Sequence, residues 1–141
     1  MSVDLIISLA LGLQAATLPA WTPVPAPADV TVLTGATEAP DCGGLLRTPA
    51  YCVGASLAAM GAIGEAYVTD LQGKGWIAAD GDENRVIFVK RRTGGGCDAM
   101  QMQAFYDINR PAAPEAPAYL AFAVIPRDIC VAETPATPSP Q

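Results

Sequence analysis

Four cysteines and no histidine stand in these 141 residues, and this combination constrains the chain more than any other feature. Cys42, Cys52, Cys97 and Cys130 follow an apolar N-terminal run, Leu5-Ile6-Ile7-Ser8-Leu9-Ala10-Leu11-Gly12-Leu13, with the character of the hydrophobic part of a secretory signal. An even set of cysteines in a small exported chain reads as a disulfide framework. The missing histidine removes the commonest general base, the usual metal ligand and the usual pH switch together. The cysteine spacings contain no C-x-x-C, so a zinc site is not expected, nor any other metal or cofactor.

The segments follow from composition. Residues 1–16 read as a signal peptide, with a small-residue cleavage site around Leu13-Gln14-Ala15-Ala16. The run is shorter than the roughly 20 apolar residues of a membrane span, so cleavage is expected rather than a stable anchor. The start Met1-Ser2-Val3-Asp4 departs from the usual pattern because it lacks a basic residue. Residues 17–40 read as a Pro/Ala-rich linker: Pro19, Pro23, Pro25, Pro27 and Pro40 forbid helix and favour extended chain. Within it, Val30-Thr31-Val32-Leu33-Thr34 is a short strand candidate. Residues 41–131 form the expected domain, small enough that disulfides matter to its stability. Residues 132–141 read as a disordered Pro-rich tail. The localisation that follows is periplasmic or secreted.

Formal net charge is −6, which argues against nucleic acid or an anionic membrane surface as partner. Lys90-Arg91-Arg92 is the one basic cluster, and at a strand end it reads as a solvated edge.

Periodicity predicts a helix over 49–72, with Leu57, Met60, Ile63, Tyr67, Val68 and Leu71 on one stripe. Gly61 and Gly64 lie beside that stripe. Each costs about 1 kcal/mol relative to alanine inside a helix, so close packing against a sheet is expected there. Four strands are predicted over 76–79, 85–91, 97–107 and 118–125, joined by short polar or glycine-rich turns. The fold class is therefore α+β, one main helix packed on a four-stranded antiparallel meander with two disulfides. A hairpin centred on 111–117 sets Cys97 opposite Cys130, which leaves Cys42 to pair with Cys52.

No catalytic residue is assigned. Asp80, Asp82 and Asn84 match the start of a calcium loop, but Arg85 stands where glycine is required and Arg91 where the bidentate acid belongs. They read as a turn. Ser56 reads as a helix cap, and Gly94-Gly95-Gly96 as a hairpin turn. The strand at 85–91 is apolar on both faces, with Val86 and Phe88 on one side and Ile87 and Val89 on the other. One face therefore needs cover from the segment at 30–34, from a loop, or from a partner. Three functional readings follow. The first is a non-catalytic module contacting another exported protein through Val86 and Phe88. The second is a small-molecule binder with a pocket between helix and sheet beside Met100 and Met102. The third is a carboxylate-dependent enzyme using Glu65 or Asp98.

Overall fold

A computed structural model describes residues 22–130 and shows one helix against a six-stranded antiparallel sheet of order β1-β2-β6-β5-β4-β3. The elements run β1 (Thr37–Glu38), β2 (Tyr51–Ser56), α1 (Leu57–Gly73), β3 (Ile77–Gly81), β4 (Arg85–Arg91), β5 (Cys97–Tyr106) and β6 (Pro117–Ile125). The α+β class holds, but the sheet has six strands, not four. The predicted signal peptide and tail lie outside the described residues.

The difference in strand number arises at 49–56. Helix α1 begins only at Leu57, because Ser56 caps it: its Oγ accepts the Ala59 N–H at 3.2 Å. The preceding Tyr51-Cys52-Val53-Gly54 is buried on both sides as strand β2. A continuous apolar run with no alternation looks alike as helix or buried strand. β2 pairs with β6 from Tyr51↔Phe122 to Ser56↔Pro117, and its other edge carries the two-residue β1. At its far end α1 stops at a Schellman motif. Gly75 takes φ +94°, its N–H donates to the Gln72 carbonyl at 3.1 Å, and the Trp76 N–H donates to the Leu71 carbonyl at 3.0 Å.

Met60, Ile63, Tyr67 and Leu71 point from α1 into the core. They meet Tyr51 and Val53 of β2, Leu120 and Phe122 of β6, Met100 and Met102 of β5, and Phe88 of β4. Phe122 lies at the centre, with ring centroids 5.0 Å from Tyr67 and 6.4 Å from Tyr51.

Residues 29–36, inside the stretch read as a linker, supply part of this core. Val30 is 5% exposed, and Leu33 and Ala36 pack beside it. The strand candidate at 30–34 is irregular chain, held by one buried side chain: the Tyr67 hydroxyl accepts the Leu33 N–H at 3.2 Å and donates to the Thr31 carbonyl at 2.7 Å. Burial raises the Tyr67 pKa above its ordinary 10.0. Tyr67→Phe is expected to cost about 1–3 kcal/mol, because it removes a donor and an acceptor from part-buried backbone groups of Thr31 and Leu33. Urea denaturation of the variant measures this, and an unchanged midpoint would mean water replaces the hydroxyl.

The disulfides are Cys42–Cys52 and Cys97–Cys130, the expected pairs, although the observed register, Ala99↔Ile125, sets Cys97 level with Arg127, so the second bond reaches past the directly opposite residue to Cys130. Cys42–Cys52 ties a 3-10 turn at Cys42–Gly44 onto the sheet face opposite α1. Cys97–Cys130 joins the start of β5 to the chain beyond β6, and the Asp128 carboxylate accepts the N–H groups of both cysteines at 3.1 Å.

Candidate functional site

α1 lies against β2, β6, β5 and the start of β3, but not against β4. The uncovered strip beside β4 forms a groove of about 930 Å³. Val86, Met102, Ala104 and Leu120 make its floor, and Leu57, Gly61, Gly64 and Val68 its helical wall. Tyr106 and Ile108, 38% and 81% exposed, form an apolar lip, and the β3–β4 turn closes the remaining side.

The wall depends on its glycines. A Cβ built on Gly61 or Gly64 would meet nothing within 4 Å. The expected packing against the sheet is therefore not the reason for them. They leave an indentation between Leu57 and Val68, where the helix backbone itself faces the groove. The rim is polar: Glu65 and Thr69 on the helix, and Glu83, Asn84 and Arg85 on the turn.

The four residues singled out for binding divide between core and groove. Phe88 and Met100 are wholly buried, so there is no exposed patch built from Val86 and Phe88. Phe88 packs into the main core, while the Val86 end of β4 borders the groove. Val86, half-buried, and Met102, 5% exposed, line the groove. Reasoning from sequence missed Gly61 and Gly64 as groove residues. Their signal was present, since Leu57, Gly61, Gly64 and Val68 recur at helical steps of four, three and four.

The opposite sheet face is covered only in part. The Cys42–Cys52 turn packs over β2 and β6, where Gly43 sits on the Tyr119 ring. Toward β3 and β4 the cross-strand row Ile77–Val89–Ala99–Ile125 lies on the same face, with Ile77 49% exposed. Residues 30–34 do not cover it, because they pack on the helix side.

The remaining candidates are placed by ordinary structural roles. Asp80 and Asp82 accept the N–H groups of Gly81 and Asn84 at 2.8 and 3.0 Å, as side chains in a turn do. Glu65 and Asp98 line different cavities on different elements. Gly94, Gly95 and Gly96 all have positive φ in the β4–β5 turn. Cys97, Asp128 and Cys130 cluster tightly enough to suggest a metal site, but the disulfide occupies both sulfurs. No family model matches the chain, and neither a curated protein nor a solved structure matches it.

A polar clamp fixes the start of the 29–36 segment. Asp29 takes φ +72° and accepts from Lys90 Nζ at 2.9 Å and from the Trp76 indole N–H at 3.0 Å. Its carbonyl accepts from Lys74 at 2.9 Å. The Lys90 bond first, then that from Trp76, lowers the Asp29 pKa below its ordinary 3.8. A depressed carboxyl stabilises the fold above its ordinary pKa and ceases to do so as pH falls through the folded value. The Trp76 indole resonance is therefore expected to shift in an acid step below pH 3.8 in the native chain. In Asp29→Asn, which keeps a residue tolerant of positive φ, that step should be absent. A step surviving in the variant would assign it to another group.

Proposed function

We propose that this protein is an exported, non-catalytic binding module that contacts another exported protein through the groove between α1 and β4. The observation that carries this reading is the groove itself. It is open and apolar-floored, its volume lies within the roughly 300–1,000 Å³ of ligand sites, and its wall is indented at two helix glycines, where an added Cβ would meet nothing within 4 Å. Two formed disulfides suit an oxidising compartment. Among the described residues no helix is long and apolar enough to cross a membrane. A non-catalytic role is supported by the chain's lack of histidine and by the use of Ser56 as a cap.

A small apolar molecule in the same groove is the second reading, favoured by Met102, whose flexible thioether side chain adapts to varied shapes. Both readings require the groove to accept an apolar group. Titration of the ¹⁵N-labelled protein with n-octyl glucoside below its micelle concentration tests this requirement. The amides of Gly61, Gly64, Val86 and Ala104 should shift together, while those of Ile77 and Ala123 on the opposite face stay still. Shifts confined to the opposite face, or none at all, would reject the groove as the working surface.

A further inference from the structure

The dimensions of the layers identify what the groove is built to receive. Six strands at about 4.8 Å spacing span about 24 Å, whereas one helix with its side chains is about 10–12 Å wide. A single helix therefore covers about half of the sheet. On one flank of α1, residues 29–36 fill the shortfall with Val30, Leu33 and Ala36, packed with Ile63 and Tyr67 in the core. On the other flank no such layer is present among the described residues, and the floor of the groove is made by β4, β5 and β6. A strand could not join there, since strands pair with edges and not with faces. A second helix beside α1 would complete the layer, as helices do over antiparallel sheets.

The wall suits that occupant. Helix axes approach to about 8–10 Å depending on the side chains between them, and Gly61 and Gly64 offer none. The helix surface around them is also nearly free of charge. Ala58, Gly61, Ala62, Ala66 and Thr69 are exposed, and Glu65 is the only charged residue on that exposed face. The rim supplies the electrostatic preference. Glu65 and Glu83 line it, and its single cation, Arg85, stands 3.9 Å from Asp82.

The chain's own C-terminal segment does not fit this description. Residues 131–141 contain Val131 as their one large apolar residue and three prolines. They follow Cys130, which is tied to Cys97 at the opposite end of β5 from Ala104 and Tyr106.

Resting on the binding-module reading above, we infer that the occupant is an amphipathic helix of another protein. Its apolar face lies on Val86, Ala104 and the Gly61–Gly64 indentation, and basic residues at its flanks meet Glu65 and Glu83. The probe is a synthetic 18-residue helix with leucine on one face and lysine on the others, set against a twin in which glutamate replaces lysine. Calorimetric titration of the full chain should show the lysine helix binding at least tenfold tighter than its twin. Gly64→Leu should weaken that binding at least tenfold, because the new side chain fills the indentation. Gly64→Leu has open space for its side chain, and a native amide spectrum checks that it folds. Gly61→Ala is a second probe of the same wall and should raise the melting temperature while weakening binding less.

Equal affinity for the two peptides, or affinity untouched by Gly64→Leu, overturns the inference. Octyl glucoside binding in the groove with neither peptide bound overturns it too and leaves the binding-module reading standing. Failure of detergent and peptides together removes both. A native dimer that Gly64→Leu dissociates would show a second copy of this chain in the groove, and would overturn the inference in favour of self-association.

Discussion

Replacing Cys97 and Cys130 together by serine is expected to lower stability by about 4 kcal/mol. The bond spans a sequence separation of 33, and the chain-entropy estimate for a loop of that length is about 4 kcal/mol, against about 3 for one of 10 residues. Cys42–Cys52, with a separation of 10, is therefore the weaker constraint. Ordinary domains are stable by about 5–15 kcal/mol, so loss of the longer bond removes a large share of the margin. Denaturant midpoints of the two double-serine variants provide the comparison. The Asp128 carboxylate also holds the N–H groups of Cys97 and Cys130, and it pairs with Arg92 at 2.6 Å. A loss under about 1 kcal/mol, far below the usual disulfide range, would show that this bracket alone closes the sheet end.

Phe122→Ala should be comparably damaging, at about 3–5 kcal/mol. Phe122 is fully buried and paired on both sides, with Tyr51 of β2 and Met102 of β5. Its ring packs between those of Tyr51 and Tyr67. Truncation there opens a void where helix, central strands and the 29–36 segment converge, and none of these can collapse without giving up contacts elsewhere. Val124, two residues along the same strand and 61% exposed, is the control. Val124→Ala should stay within about 0.5 kcal/mol of the parent, as surface changes do. If the two variants lost similar amounts, the core would not be centred on Phe122.

What could be read from the residues alone depended on how strongly each segment declared a period. The strands around Val86–Val89, Met100–Met102 and Leu120–Phe122 were legible from β-branched and aromatic content, and the α1 stripe from its three- and four-residue steps. Tyr51–Ser56 was not legible, because a strand buried on both faces shows no alternation. The two-residue β1 carries too little sequence to signal anything. Strand β4 is apolar on both sides, so nothing local says which side receives the helix or whether Phe88 meets the core or a partner. The proline density before Pro40 spoke correctly against helix. It said nothing about Val30 and Asp29, whose roles depend on Tyr67, Trp76 and Lys90 far along the chain. The groove was hidden for a related reason: periodicity shows that Gly61 and Gly64 flank the stripe, but not that the space beside them is empty.

The position of β2 also sets an order of events. It lies between β1 and β6, yet β6 is the last strand in the chain, and Ser56 finds Pro117 only after α1 and the β3–β5 meander have been made. Wherever the chain emerges N-terminus first, from a ribosome or a membrane pore, Cys42 and Cys52 are together early and Cys97 has no partner until Cys130 arrives. Until β6 arrives, Tyr51–Ser56 is an apolar strand with one long edge unoccupied, the condition under which nascent sheets join to the wrong neighbour. That exposure begins once Tyr51–Ser56 has been made and ends when Phe122 takes its place opposite Tyr51.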